Sequence, residues 1–229
     1  MTNEENRRSW VKLQLEKIPE GSRVLDAGAG EQQYKSFCTH LKYVSQDFAA
    51  YKPENLDSGL QMPAWDYGKL DIISDITAIP ETDGSFDVIL CTEVFEHIPD
   101  PIAAIKEFSR LLRKGGTLIL TAPFTSMTHF APYHFSTGFN RFFYEHHFPK
   151  AGLKIEKLDF NGNYFDVISQ ELQRMDHVAI QYAKDKPSWL EYRALKMVKK
   201  MTARFSSKEK GSTELMALGI HVVATKAER

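Results

Sequence analysis

The stretch Arg23-Val24-Leu25-Asp26 runs without a break into Ala27-Gly28-Ala29-Gly30, and no other feature of the chain restricts its fold as much. A short apolar strand that opens onto a glycine-bearing turn must reverse tightly at its carboxyl end, as strands do in open α/β sheets. The pattern recurs downstream. Residues 43–46 read as a strand ending at Asp47, and 70–74 as one ending at Asp75. Residues 85–91 are apolar enough to be buried on both faces, as parallel strands are, and 117–121 form a fifth strand. Residues 31–41 can be helical. Ile102, Ile105, Phe108, Leu111 and Leu112 repeat at helical spacing, with Gly115-Gly116 placed to end that helix. Residues 153–160 and 219–225 supply two more strands. Strands alternating with helices predict a doubly wound α/β fold: a seven-stranded, mostly parallel sheet with right-handed crossovers.

The remaining segments attach to that frame. Residues 3–18 suit an amphipathic helix carrying Trp10, Leu13 and Ile18. Residues 48–69 form a long loop with Pro53, Gly59, Pro63 and Gly68, anchored by Trp65. Residues 164–210 read as a helical insertion before the last strand, 218–226. The chain of 229 residues, 42% apolar, builds one core and hence one domain over 1–229. Its parts are the first helix, a core at 20–125, a loop at 126–150, the insertion and the last strand.

The formal charge of −1 gives no whole-chain attraction to nucleic acid, so DNA is not an expected partner. Two cysteines without metal-ligand spacing, Cys38 and Cys91, fit free thiols in a reducing compartment. No run approaches the roughly 20 apolar residues of a membrane span. A cytoplasmic protein is expected.

In a sheet of this kind ligands bind beyond the carboxyl ends of the strands, where strand order reverses. Gly28 and Gly30 stand at the first end. Asp47 stands at the second, 21 positions after Asp26, close to the spacing of about 20 at which an acidic side chain reaches ribose hydroxyls. Asp75 stands at the third. Their order and spacing describe a site for a nucleoside-bearing cofactor. The third glycine of a dinucleotide fingerprint would fall at position 33, which is Gln33, and no Gly-Lys-Ser/Thr follows the turn. A bound diphosphate is not expected.

These residues, with Asp75-Ile76, the stretch from Phe86 to Pro101 (FDVILCTEVFEHIPDP) and Leu112-Arg113-Lys114-Gly115-Gly116-Thr117-Leu118, resemble the class I S-adenosylmethionine-dependent methyltransferases, in particular the methyltransferase type 11 domain group. The resemblance covers residues 20–125 closely and implies a Rossmann-like fold with S-adenosylmethionine as cofactor. It carries Asp26, Ala27, Gly28 and Gly30 to the methionine part, Asp47 to the ribose hydroxyls and Phe48 to the adenine ring. It carries Asp75 and Ile76 to the adenine edge and face, and Cys91 and Thr92 to the methionine and sulfonium. Many relatives have a third glycine where this chain has Gln32.

The implied reaction is direct displacement on a sulfonium methyl, in which the protein aligns an acceptor lone pair and excludes water. A small-molecule oxygen acceptor would gain from a general base, and histidine suits that near neutral pH. His134 and His97 are the candidates, set among the aromatics of 123–147; His129, His146 and His147 read as surface or capping residues. Glu93, Glu96 and His97 form E-x-x-E-H with His134 downstream, a pattern similar to the metal site of small-RNA 2′-O-methyltransferases and ubiquinone-pathway O-methyltransferases. The same stretch also serves as a helix cap where no metal is present, and the site residues are read without one. A metal-assisted O-methyltransferase on RNA ends or a quinone precursor is the alternative, and a non-catalytic S-adenosylmethionine-binding regulatory subunit is another.

Residues 184–210 carry nine Lys or Arg against three acids. Leu190, Ala194, Met197, Val198, Met201 and Phe205 make one helical stripe there, read as an apolar face docked on the protein's own body with a solvated cationic face outward. An anionic substrate, a membrane surface or a subunit contact, hence a homodimer, are the other uses of such a helix.

Overall fold

The computed structural model describes residues 2–51, 53, 60 and 64–228. Its frame is a seven-stranded sheet in the order β3-β2-β1-β4-β5-β7-β6. The strands are β1 (Arg23–Ala27), β2 (Lys42–Asp47), β3 (Ile72–Ile73), β4 (Phe86–Thr92), β5 (Leu112–Pro123), β6 (Leu153–Asn161) and β7 (Gly219–Lys226). β1 to β5 pair in parallel, and β7 runs antiparallel to both β5 and β6. Order reverses at β1, whose neighbours are β2 and β4. That reversal puts a crevice beyond the ends of β1, β2 and β4.

Successive residues of a strand face opposite sides of the sheet, so each central strand feeds two cores. Leu25, Ile89, Leu118 and Leu120 enter one, together with Phe108 and Leu111 of α2 (Pro101–Leu111) and Tyr144 of α3 (Arg141–His147). Val24, Val88, Leu90 and Ile119 enter the other, under Val11 and Leu15 of α1 (Asn3–Leu15). Burying one such side chain contributes about 1.5–3 kcal/mol. α1 starts where a capping box forms, Thr2 accepting from the Glu5 N–H and Glu5 accepting from the Thr2 N–H. It is shorter than the predicted 3–18 and buries Val11, Gln14 and Leu15, while Leu13 is exposed.

Two further expectations shift. The predicted helix at 31–41 is a run of turns with a single 3₁₀ segment at Lys35–Phe37; Gln32 there takes a left-handed φ of 56°, which breaks a helix. α2 ends at Leu111, because Leu112 is already extended (φ −67°, ψ 135°), so Gly115 and Gly116 lie inside β5. Leu112 and Thr117, five positions apart, pair with residues only two apart on β4, a bulge in which Gly115 supplies a φ of 70°. The helical insertion is a hairpin: α4 (Tyr164–Val178), a π turn at Ala179–Ala183, then α5 (Trp189–Ser206). Gly59 and Pro63 of the predicted loop lie outside the described residues.

Candidate active site

Both central glycines of the first loop are required by what stands opposite them. Gly28 has φ 77°, and a Cβ there would come within 2.5 Å of the Val94 side chain. Gly30 has φ 50°, and a Cβ there would meet the Trp65 ring at the same distance. Trp65 is therefore the anchor predicted for the long loop. The Gln46 carbonyl of β2 accepts from the N–H groups of both Gly28 and Ala29, at 2.9 Å each. Gln32, standing where relatives have a third glycine, adopts a glycine-like φ, and its amide donates to the carbonyls of Tyr67 and Lys69 at 2.9 and 3.0 Å. The substitution thus keeps the turn and ties it to the long loop.

Asp47 ends β2, nearly fully buried. Its Oδ2 accepts from the Gly30 N–H at 2.9 Å and its Oδ1 from the Ala49 N–H at 3.0 Å. Burial raises its pKa and these backbone N–H bonds oppose that rise. Asp75 ends in an Asx turn, one oxygen accepting from both the N–H and the hydroxyl of Thr77. The Phe48 ring meets Tyr133 edge-on, with centroids 5.0 Å apart.

One cavity of about 1070 Å³ takes in Gly28, Gly30, Asp47, Phe48, Asp75, Ile76, Thr92 and His97 among its lining residues. It has room for a nucleoside-bearing ligand and a small acceptor together. Asp26, Ala27, Cys91 and His134 are not part of that wall. Asp26 lies beneath the loop, fully buried, accepting from the Tyr43 hydroxyl at 2.6 Å. Burial pushes its pKa up to about 7 despite that bond. Cys91 is buried in the core, which pushes its thiol pKa well up. His134 sits behind Ser126, a lining residue whose Oγ is 3.2 Å from its Nε2.

The same cavity is lined by an imidazole cluster. One ligand atom each of Glu96, His97 and His129 lie within 4.8 Å of one another. His97 Nδ1 is 2.6 Å from the Tyr133 carbonyl and His129 Nδ1 is 2.8 Å from that of Met127. Those carbonyls can only accept, so both Nδ1 atoms carry a proton. Burial, with His129 second, drives the His97 pKa down to about 3, leaving that ring neutral and a weak proton acceptor at pH 7. Glu96 is buried with Oε2 unpartnered, and burial, with Glu93 adding repulsion, raises its pKa well above the ordinary carboxylate range.

Glu93 does not join this group. It is held at φ 53° by the Thr121 hydroxyl and by an ion pair with Arg7 of α1, N to O 3.0 Å. The cluster among the described residues is thus Glu96, His97 and His129, not the Glu93, Glu96, His97 and His134 of the motif. His129 carried little sequence signal: it stands in the segment after β5, outside the named strands, in an isolated bridge to Leu60, 69 positions earlier. Arg7 lines the cavity as its only described guanidinium besides Arg174 of α4, and neither was singled out from sequence.

The family profile described as "Methyltransferase domain" matches residues 3–158. The chain belongs to that methyltransferase family. The site accords with a nucleoside-bearing ligand: glycines that a Cβ would obstruct, and an aspartate at the second strand end. A ubiquinone biosynthesis O-methyltransferase of Xanthomonas axonopodis pv. citri is 35% identical over 122 residues, 50% of this chain and 48% of the relative. The chain thus spans about half the length of the curated relatives it matches. Phosphoethanolamine N-methyltransferase 2 of Haemonchus contortus, solved with S-adenosyl-L-methionine, superposes with a TM-score of 0.53 at 16% identity, over 97% of this chain and 52% of that one. The YcgJ protein of Bacillus subtilis gives 0.55 at 13% identity, over 98% and 100%. At such identities these two establish the fold alone. Among the described residues no helix is long and apolar enough to cross a membrane.

Proposed function

We propose that this methyltransferase transfers the methyl group of S-adenosylmethionine to an oxygen of a small molecule held against His97, His129, Ser126 and Tyr133. The observation that carries the reading is the shared cavity: Gly28, Gly30, Asp47, Ile76 and Thr92 line it together with His97 and His129. The bound donor supplies an electrophilic sulfonium methyl. The remaining work for the chain is to orient and to exclude water.

Asp47 would take the ribose hydroxyls with the lone pairs its two backbone bonds leave open. Phe48, Asp75 and Ile76 would border the adenine. Gly28, Gly30 and Thr92 would line the methionine portion, with Arg7 facing its carboxylate. Asp26, Ala27 and Cys91 would support that loop from below. His129, with a free Nε2 on the cavity wall, would accept the acceptor's proton, and His134 would act on it through the Ser126 hydroxyl. The O-methyltransferase name of the relatives matched over about half their length favours oxygen over nitrogen. The test is methyl transfer from labelled S-adenosylmethionine to a panel of phenols and catechols, with amines as controls. Transfer to amines alone would replace the oxygen reading.

A second reading is favoured by one observation. Two imidazoles with Nδ1 pinned by carbonyls, beside the Glu96 side chain with an unpartnered oxygen, form an N₂O donor set of the type that holds a divalent cation. Glu96, His97 and His129 would hold it, and the ion would lower the pKa of an acceptor hydroxyl. Chelator separates the two readings: the rate is unchanged under the first and lost under the second.

A further inference from the structure

The hairpin of α4 and α5 leaves an outward surface that the described protein does not cover. The row of α5 turned inward is Leu195, Val198, Thr202 and Ser206, all buried or half-buried. Ser206 fixes it there, donating to Asp166 at 2.8 Å and accepting from Asn163 at 2.9 Å. The other side is not what an apolar stripe docked on its own body predicts. Leu190, Ala194, Met197 and Met201, spaced i, i+4, i+7 and i+11, all face solvent, with Leu190 and Met197 68% and 69% exposed. Trp189 at the head of the helix is 67% exposed.

Beside this row, on the same outward half of the helix, run Arg193, Lys196, Lys200 and Arg204. Between 184 and 210 nine cations face three acids, and none of the nine enters an ion pair with a described residue. The Arg193 guanidinium lies over the Trp189 ring at 4.9 Å and that of Arg204 over Phe205 at 5.2 Å. Each keeps its charge beside apolar surface.

An apolar row alone would suit another protein, and a cationic row alone would suit any polyanion. The two together, side by side with a tryptophan at one end, match a surface that is negative outside and apolar beneath. We propose that α5 docks on an anionic lipid bilayer, its apolar row entering the headgroup boundary while the flanking cations meet lipid phosphates. Gln170 and Arg174 of the same hairpin line the cavity, so docking would hold the site beside the bilayer. The inference does not depend on the methyl acceptor.

The test is sedimentation of the full chain with vesicles of phosphatidylcholine alone and of phosphatidylcholine mixed with phosphatidylglycerol, at low and high salt. Binding is expected to the mixed vesicles only, weakened by salt. K196E/K200E lowers the apparent partition at least about tenfold, and L190S/M197S lowers it comparably. Far-UV circular dichroism of both variants is unchanged, because the substituted side chains are exposed. Failure to sediment with the mixed vesicles overturns the proposal. So does equal binding to pure phosphatidylcholine, or full binding by L190S/M197S, which would reveal a general polyanion site such as one for RNA. A concentration-dependent dimer abolished by L190S/M197S, with no vesicle binding, would assign the face to a second copy instead.

Discussion

The Gly30 N–H donates to Asp47 Oδ2 at 2.9 Å, joining the loop after β1 to the end of β2 beside the point where strand order reverses. The aspartate therefore does two things: it fixes the loop's path, and it presents its open lone pairs to the cavity. Backbone bonds from Gly28 and Ala29 to the Gln46 carbonyl reinforce the same junction. The loop is thus shaped before any ligand arrives, which lowers the ordering cost of binding.

Glycine substitutions separate conformational strain from steric conflict. Gly21 has φ 77° with open space around it, so G21A costs only the left-handed strain, about 1–2 kcal/mol. G30A adds a 2.5 Å approach to Trp65, and overpacking of that kind costs about 1–3 kcal/mol more. Urea unfolding is expected to rank G30A below G21A. Calorimetry is expected to show weakened S-adenosylmethionine binding for G30A alone.

Asp26 gives the protein a pH signature. Its pKa is about 7 in the folded state, raised by burial, against about 4 in the unfolded chain. Between these values the folded protein holds a proton that the unfolded chain has released. Stability contributed by the group therefore falls as pH rises through that window and is level above it, a change on the order of 4 kcal/mol. Asp26→Asn, to which the Tyr43 hydroxyl can still donate, removes the dependence. Urea midpoints at pH 4.5 and 7.5 are expected to show the variant gaining on the natural protein at the higher pH. A constant difference would mean that Asp26 titrates normally.

His129→Ala is expected to lower kcat by about 10²-fold or more while leaving S-adenosylmethionine affinity unchanged. His134→Ala, acting one hydroxyl further back, is expected to lower it less. Single-turnover rates with calorimetry check both. A weakened donor affinity in His129→Ala would place that ring on the cofactor side instead.

The parts of this site legible in the sequence are those that local chain geometry creates. Gly28, Asp47 and Asp75 announce themselves because each ends a strand, and the sheet then brings strand ends together. Arg7 and His129 carry no such signal: one arrives from the helix on the second core and the other through a bridge to Leu60. The 31–41 segment misled because Tyr34 and Cys38 are spaced for a helix, yet the left-handed Gln32 and its bonds to Tyr67 and Lys69 hold it in turns. The exposure of Leu190 and Met197 was equally hidden, since an apolar stripe looks the same whether it meets the body or solvent.

Calorimetric titration of S-adenosylmethionine into the natural protein and Asp47→Ala addresses the central claim directly. Loss of the carboxylate removes both the ribose contacts and the anchor of Gly30, and the affinity is predicted to fall at least about tenfold, as for a charge-assisted hydrogen bond. Equal affinities in the two proteins would contradict the account.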